Sequence, residues 1–298
     1  MLGSMIVDVL SRAGNLTLTA TVRDPSIAGR FRTYYPSVRW REFGFASGRI
    51  EDSSLFDGQD WIINAIGITK PLIKDDNPDQ IEAAIRVNSV LPQAIGRVAQ
   101  ARGARVLQIA TDCVYSGAKG AYTESDLHDA LDVYGKTKSL GETYLPSVSH
   151  LRCSIIGPEP KDFKFLIEWF RRQPNGTQVN GFTNHLWNGV TTLHFARVCE
   201  GVICKNIALP HLQHLVPAES EAKSEMLRDF AEAYARPDIV IRDVEAKTVI
   251  DRTLSTSNIE LNDALWRAAG YDQTPTVRQM IHELAAFDYR VSEPAASV

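Results

Sequence analysis

Two short apolar runs, Trp61-Ile-Ile-Asn-Ala65 and Val106-Leu-Gln-Ile-Ala110, enclose the stretch of sequence that decides the fold. Runs of this length and composition are typical of strands that are buried on both faces of a parallel sheet. Between them, residues 78–102 place apolar side chains at the spacing of an α-helix. These helical positions are Ile81, Ala84, Ile85, Val87, Ala94, Ile95 and Val98. A strand, a helix and a second strand in this order predict a right-handed crossover between parallel strands.

The same alternation continues on both sides of this unit, with further strands predicted at 16–22, 38–43 and 150–156. After residue 156 helices dominate, with short strands near 213–216 and 239–243 between them. The predicted helices of this second part cover 163–172, 192–202, 221–234, 262–269 and 276–287. We therefore predict an α/β fold with a Rossmann-like, doubly wound parallel sheet over residues 1–156. Residues 157–298 are predicted to form a smaller substrate lobe, interleaved with the first part, over the carboxyl edge of the sheet.

Composition narrows the class of protein. The 298 residues are 44% hydrophobic and 23% charged with a formal net charge of −4, as in an ordinary globular protein and unlike a disordered chain. No basic surface is evident, so nucleic acid is not expected as a partner. Apolar runs are too short for a membrane span, and no secretory signal is visible. The four cysteines lack metal-ligand spacing, so we predict reduced thiols, a cytoplasmic location and no metal site.

A tyrosine and a lysine in Tyr134-Gly-Lys-Thr-Lys138 are four residues apart and share one face of a predicted helix. A nearby ammonium lowers the pKa of a phenol, which makes the phenol a usable acid or base. Thr111 closes the strand that begins near Val106, so its hydroxyl lies at the carboxyl edge of the sheet. The tyrosine and lysine alone are more often a pair on a helix surface. Their position after a threonine that ends a buried strand favours a catalytic site.

The run Thr111-Asp-Cys-Val-Tyr115-Ser-Gly117, with Tyr134-Gly-Lys-Thr-Lys138-x-x-Gly-Glu142, resembles the extended short-chain dehydrogenase/reductase family. Within that family it is most similar to dTDP-4-dehydrorhamnose reductases and related nucleotide-sugar reductases, over about residues 1–160. The resemblance implies an enzyme that reduces a keto group on a nucleotide-activated sugar with NADP, in the biosynthesis of surface polysaccharide sugars. By analogy it also implies a homodimer.

The resemblance assigns roles to individual residues. Tyr134 would donate a proton to the substrate ketone, Lys138 would lower its pKa and hold the nicotinamide ribose, and Thr111 would orient the carbonyl. The cofactor would also contact Gly3, Arg23, Ala65, Ile66, Gly67, Asn88, Ser154 and Ile155. The substrate would contact Asp112, Val114, Asn184 and Trp187. For Asn88, an ordinary helix cap or buried amide is an equally supported alternative.

Arg23 bears on the choice between NADP and NAD. It directly follows the predicted strand that ends at Val22, where a cation can pair with the 2′-phosphate of an adenosine. An acidic residue at this place would instead bind the 2′-hydroxyl of NAD. We therefore predict NADP, with NAD as the alternative cofactor. The alternative for Arg23 itself is an exposed pair with Asp24.

The start of the chain departs from the family pattern of a strand followed by Gly-x-x-Gly-x-x-Gly. Met1-Leu-Gly3-Ser-Met-Ile-Val7 matches only the end of that turn, with Gly3 as its last glycine. The first strand, which is central in such sheets, has no counterpart here. Its loss would leave two strand edges without hydrogen-bond partners. One hypothesis is that Met1 is an internal methionine of a longer natural chain, and the other is a protein that has lost normal dinucleotide binding.

Other functions remain beside the reductase. Sugar dehydratases of this family carry an acidic residue after the Thr-Asp pair, and Cys113 stands there instead, which disfavours elimination. Epimerisation of a nucleotide sugar would use the same Tyr134 and Lys138. A non-catalytic regulatory or binding homologue is the alternative from another class. His211 and His214 lack a third ligand and are predicted to be a loop or strand pair of the second lobe.

Overall fold

The computed structural model of the protein describes residues 1–45, 50–51, 53–159, 163 and 165–291. The helices are α1 (Leu2–Arg12), α2 (Pro25–Tyr34), α3 (Pro78–Ala84), α4 (Leu91–Arg102), α5 (Val133–Leu140), α6 (Leu166–Arg171), α7 (Thr192–Cys204), α8 (Lys223–Ala233), α9 (Ile259–Ala268) and α10 (Val277–Ala286). The strands are β1 (Thr19–Val22), β2 (Arg39–Glu42), β3 (Trp61–Asn64), β4 (Arg105–Thr111), β5 (Val148–Cys153), β6 (Ile155–Ile156), β7 (Gln178–Phe182), β8 (Leu186–Trp187), β9 (Val190–Thr191), β10 (Leu212–His214), β11 (Glu221–Ala222) and β12 (Val240–Val244).

Four parallel strands form the main sheet in the order β10-β5-β4-β3. The register aligns Trp61 with Arg105 and Ile109 with Leu151. A separate parallel pair joins β1 and β2. Helices such as α1, α4 and α7 carry the apolar faces that bury these strands, because their buried residues recur at helical spacing. The predicted Rossmann-like α/β class with a parallel central sheet is therefore confirmed.

The crossover predicted as one helix over 78–102 is interrupted in the structure. A π-helical turn, Ile85–Val90, joins α3 to α4. Pro92 explains the interruption, since proline has no N–H and its ring clashes with the carbonyl group four residues earlier. The turn directs Asn88 and Ser89 into the interior, where both are 2% exposed. The irregular turn thereby places two polar side chains beside α5.

The prediction for the two histidines needs correction. β10 pairs in parallel with β5 and extends the main sheet, with His214 opposite Arg152. His214 is therefore a fully buried residue of the central sheet rather than part of a second lobe. The chain returns to this sheet after α7, so the boundary at residue 156 stays a prediction. In the ranges that the structure describes, no helix is long and apolar enough to cross a bilayer.

Candidate active site

Thr111 is the last residue of β4 and lies at the carboxyl edge of the sheet. Its Oγ1 accepts a hydrogen bond from the N–H of Cys113 at 3.2 Å and donates to Oδ1 of Asp112 at 3.2 Å. These bonds turn the chain sharply into a short 3-10 helix, Asp112–Val114. Only 8% of Thr111 is exposed, so its hydroxyl is held at a buried edge.

Tyr134 begins the first turn of α5, which Asp132 caps by accepting from the N–H of Gly135 at 2.9 Å. Burial raises the pKa of Tyr134 above its usual value, and the nearby Cys113 adds to this. The side chain of Thr111 lies close enough to the phenol to oppose this rise in part. Tyr134 is therefore protonated at neutral pH and lies next to the threonine, and its role as a proton donor stays a prediction.

Lys138 follows one turn later on α5 and is 9% exposed. Its Nζ donates to the carbonyl oxygen of Ile109 at 3.1 Å. Burial lowers the pKa of Lys138 to about 8, against a weaker opposing effect of Glu142. The expectation that Lys138 lowers the pKa of Tyr134 differs from this structure, where the pKa of Tyr134 is raised. The reason is that burial of the phenol dominates and the ammonium is bound to a backbone carbonyl.

Lys138→Met provides a test of this buried ammonium. The pKa of Lys138 is about 8 when folded against 10.5 as its ordinary value, so the unfolded chain holds more protons between these limits. We expect the free energy of unfolding of the wild type, relative to Lys138→Met, to rise by about 3 kcal/mol as pH increases through this window. Urea titrations at several pH values measure it. A difference that does not vary with pH would contradict a titrating Lys138.

The loop after β3 is held by Asn88. Its Oδ1 accepts from the N–H of Ile68 at 2.8 Å, and its Nδ2 donates to the carbonyl of Ile68 at 2.9 Å and to Oγ1 of Thr137 at 3.3 Å. All of these bonds are internal and agree with the buried-amide alternative, while a cofactor contact by Asn88 stays a prediction. Asn88 thereby ties the loop after β3 to α5, the helix that carries Tyr134 and Lys138.

The start of α1 lies against the end of β3. A Cβ placed on Gly3 would come within 3.9 Å of the Cβ of Ala65. Met1, the N-cap of α1, makes no side-chain capping bond, and the first N–H groups of a helix have no acceptor within the helix, which is where helices bind anions. Arg23 follows β1 and is exposed, while the neighbouring Asp24 caps α2 by accepting from the N–H of Ser26. The uncapped helix, the glycine and the exposed arginine fit a phosphate-bearing ligand.

Two of the residues predicted to contact the substrate, Val114 and Asn184, have their side chains engaged inside the protein. Val114 has no exposed surface, because it packs with Tyr115, Tyr122 and Leu254. Both polar atoms of the Asn184 amide are hydrogen-bonded to the backbone of Ala246, at 2.9 Å each. Val114 therefore offers a substrate no side-chain surface, which corrects the prediction of a contact there. The Asn184 amide keeps a second N–H and a second lone pair for a further contact, so its role in binding stays a prediction.

The other expected contacts remain near the sheet edge. Asp112 is 8% exposed, and burial raises its pKa. Nε1 of Trp187 donates to Oγ of Ser154 at 2.9 Å, which joins the β8 segment to the end of β5. Ile155 and Ile66 are partly exposed at the same edge of the molecule. Their roles in binding stay predictions.

Arg152 is a buried cation that sequence reasoning missed. It lies on β5 with no exposed surface and donates to Oε2 of Glu142 at 2.5 Å and to the Tyr115 hydroxyl at 2.6 Å. Its guanidinium also contacts the ring nitrogens of His128 and His214. The residue in the sequence that indicates such a cation is Glu142 of the quoted motif, because a buried carboxylate requires a cation or several hydrogen bonds.

Arg252 and Lys223 were also missed. Nε of Arg252 donates to the carbonyl of Tyr115 at 2.8 Å. Burial raises the pKa of Asp112 and of Cys113, and the positive charge of Arg252 opposes part of this rise. The pKa of Lys223 is lowered, mainly by burial and also by the charge of Arg252. These two cations place positive charge near the catalytic edge. No sequence pattern in this chain distinguishes them from surface cations.

Cys113 is unsuited to act as a base. Burial raises the pKa of its thiol to about 12. The four cysteines of the chain are all free thiols: Cys113, Cys153, Cys199 and Cys204.

Away from this site, Asp229, Glu232 and His282 bring possible metal-ligand atoms together. Arg278 donates to both carboxylates, so a guanidinium already supplies the positive charge there.

The chain is similar to a known protein family over most of its length. The family model described as RmlD substrate binding domain matches residues 54–286. Methionine adenosyltransferase 2 subunit beta from Rattus norvegicus is 33% identical over 81 residues, which are 27% of this chain and 23% of that protein. The chain thus matches less than a quarter of the length of this curated relative.

Solved structures share the fold. A dTDP-4-dehydrorhamnose reductase from Bacillus anthracis, in complex with NADP, is 16% identical with a TM-score of 0.64, covering 84% of this chain and 90% of that one. A UDP-glucuronic acid 4-epimerase from Bacillus cereus, in complex with NAD, is 14% identical with a TM-score of 0.71, covering 97% and 96%. At these identities the likeness concerns the fold.

The family match extends over well more than half of the chain and includes Thr111, Tyr134 and Lys138. It confirms the predicted resemblance to the family of the dTDP-4-dehydrorhamnose reductases. The chain belongs to the RmlD substrate binding domain family.

Proposed function

We propose that the protein reduces a keto group on a nucleotide-activated sugar, with NADP as the cofactor, in the manner of a dTDP-4-dehydrorhamnose reductase. The observation that carries this proposal is the position of Thr111 at the carboxyl edge of the sheet beside the phenol of Tyr134, with Lys138 buried on the same helix as Tyr134. A cytoplasmic role in the biosynthesis of polysaccharide sugars follows from the same proposal.

The cofactor fits the groups that surround this edge. The free N–H groups of α1, beside Gly3 and Ala65, would hold its diphosphate, and Arg23 would hold its 2′-phosphate. When bound, NADPH supplies the hydride for the carbonyl carbon. A relative of the same fold, the Bacillus anthracis reductase, is solved in complex with NADP.

The residues of the chain supply the proton and its positioning. The raised pKa of Tyr134 keeps its phenol protonated, so it can give a proton to the carbonyl oxygen as that oxygen gains negative charge. Thr111 would turn its one hydroxyl hydrogen from Asp112 to the same oxygen and fix the position of that oxygen. Lys138, with a pKa of about 8, can return a proton toward the site near neutral pH. Addition of a hydride and a proton converts the ketone to an alcohol.

The experiment that tests the proposal follows NADPH absorbance with the full chain and a panel of 4-keto sugar nucleotides. We expect oxidation of NADPH that depends on both protein and substrate, with a secondary alcohol as the product. A folded chain that binds NADPH and reduces no member of the panel would contradict a reductase of this substrate class.

Arg23→Ala is expected to separate the two cofactors. Loss of one charged contact with the 2′-phosphate should raise the Kd for NADPH about tenfold or more, since such contacts contribute roughly 1.5–3 kcal/mol. Binding of NADH, which lacks this phosphate, should be nearly unchanged. Cofactor fluorescence measures both constants, with the exposed helix residue Arg228→Ala as the matched control. An equal loss for both cofactors would contradict phosphate recognition by Arg23.

A second candidate is a non-catalytic binding subunit. The observation that favours it is the similarity to methionine adenosyltransferase 2 subunit beta over 81 residues. Such a protein would not depend on the phenol of Tyr134 for its partner binding. Epimerisation is a further alternative on the same residues, and the Bacillus cereus epimerase shares the fold.

A further inference from the structure

His128 lies in the loop before α5 and contacts that helix and the main sheet with its two ring nitrogens. Its Nδ1 is 2.7 Å from Oγ of Ser139 on α5, and its Nε2 is 2.7 Å from Nη2 of Arg152 on β5. The side chain is 25% exposed, so water reaches part of the ring. One histidine therefore joins three segments beside the proposed catalytic residues.

The partners of the ring fix its protonation state. A guanidinium has donors only, so Nε2 of His128 accepts from Arg152. In a neutral imidazole the other nitrogen then holds the proton, and Nδ1 donates to Ser139. His214 is arranged in the same way, with Nε2 2.9 Å from Nη1 of Arg152 and Nδ1 2.7 Å from the carbonyl oxygen of Ser255. Both histidines are therefore neutral, with the proton on Nδ1.

The next residue in the chain, Asp129, fastens the same loop to the segment that follows Thr111. Its carboxylate accepts from the N–H and from Oγ of Ser116, at 2.6 Å each. Apolar packing adds little, since Leu127 and Leu131 of this loop are 87% and 83% exposed. Polar contacts of adjacent side chains thus connect the Thr111 segment with α5.

We propose that neutral His128 is a positioning residue that holds α5 against the Thr111 segment, and that a proton on His128 releases this helix. The inference rests on the proposed reductase function, because the distance between Thr111 and Tyr134 matters where both act on one carbonyl oxygen. A proton on Nε2 would point an N–H at the donors of Arg152, and two positive charges would repel each other in a buried place. A ring that turns away from Arg152 also leaves Ser139.

The charged groups around the ring disfavour this proton on balance. Arg152 of β5 opposes it, while Glu142 after α5 and Asp129 of the same loop favour it. Oε2 of Glu142 is 3.7 Å from Nε2 of His128, and it is already bonded to Arg152 at 2.5 Å. Burial is the largest effect and, with Arg152, lowers the pKa of His128 below its usual value of 6.5. The ring is therefore neutral at neutral pH and gains a proton in acid.

Two further titratable groups face the same cluster. The ring of Tyr115 is 5.7 Å from that of His128, and burial raises the pKa of Tyr115 to about 12. His214 of β10 has no exposed surface, and burial followed by Arg152 lowers its pKa to about 4. His128 is the histidine of this cluster that water reaches, so it is the first of the two to gain a proton as the pH falls.

NMR of the full chain with 15N-labelled histidine tests the contact without any turnover. At about pH 7.5 we expect the signal that is lost in His128→Gln to show a neutral ring with the proton on Nδ1. As His128 gains its proton below about pH 6, amide exchange at Thr137, Lys138 and Ser139 should rise about tenfold, after correction for the intrinsic rate. A proton on Nε2 at pH 7.5, or protection of α5 that does not change as His128 titrates, would overturn the inference.

The pH profile of NADPH oxidation tests the effect on catalysis. The wild type should lose about tenfold or more in kcat below about pH 6, with the KM for NADPH little changed, because a small displacement of a catalytic group is costly. His128→Gln should keep its kcat there, since an amide can accept from Arg152, donate to Ser139 and does not titrate. His128→Ala should have the low kcat even at pH 7.5. His211→Gln is the matched control, because that ring stacks on Tyr144, and it should keep the wild-type profile.

The same loss of kcat in acid for the wild type and His128→Gln would overturn the inference. A wild-type kcat in His128→Ala would overturn it as well. A chain without turnover at any pH would contradict the proposed reductase, and the NMR measurement would still decide whether His128 holds α5.

Discussion

Tyr134→Phe is expected to lower kcat/KM for the reduction of a keto-sugar nucleotide by about 10²–10⁴-fold, while the protein stays folded. The phenol is the group that holds a proton beside Thr111, and its removal leaves the developing alkoxide without a donor. Binding of NADPH should change little, because the substitution removes only one oxygen. Steady-state kinetics and cofactor titration of the same preparation measure both quantities.

Tyr144→Phe is the matched control, since Tyr144 is 87% exposed and follows α5. It should leave kcat/KM within about twofold of the wild type, as surface substitutions usually have small effects. Unchanged turnover in Tyr134→Phe would contradict the proposed catalytic role. If partner binding by the chain were also indifferent to this change, the non-catalytic subunit would be favoured.

Arg152→Met is expected to destabilise the protein by about 3–5 kcal/mol, the largest effect on stability that we predict. Arg152 is fully buried and bonds Glu142, whose side chain is 9% exposed. Removal of the guanidinium leaves a buried carboxylate without its cation and the Tyr115 hydroxyl without its donor. Denaturant unfolding at neutral pH measures the change in free energy.

The double variant Arg152→Met with Glu142→Leu tests the cause. It should be more stable than Arg152→Met alone, because the unpaired carboxylate is gone and apolar groups fill similar volume. The exposed pair member Arg228→Met serves as the control and should stay within about 0.5 kcal/mol of the wild type. A single variant as stable as the wild type would show that the buried pair contributes nothing to folding.

The central sheet could be predicted because its strands are buried on both faces. Trp61–Asn64 and Arg105–Thr111 are strands within one or two residues of the predicted ends. The proximity of Thr111 and Tyr134 could be predicted for a related reason. Thr111 closes a strand and Tyr134 opens a helix, so their meeting depends on local structure and on the common edge of parallel strands.

Other positions could not be predicted from local pattern. Val114 and Asn184 occur in a motif and a loop that suggested substrate contacts, and the structure pairs or buries both. The sequence left two roles open for Asn88, because the partners of its amide, Ile68 and Thr137, are 20 and 49 residues away along the chain. A polar side chain can satisfy its hydrogen bonds in many ways, and the sequence does not say which partner is near.

From the amino-acid sequence alone, the α/β class and the grouping of Thr111, Tyr134 and Lys138 follow, because periodicity reports burial and strand ends report the sheet edge. Tertiary structure alone decides that β10 joins the main sheet and that Arg152 neutralises Glu142. Each of these depends on which segments distant in sequence come together. That choice is made by packing and charge across the whole chain rather than within any one stretch.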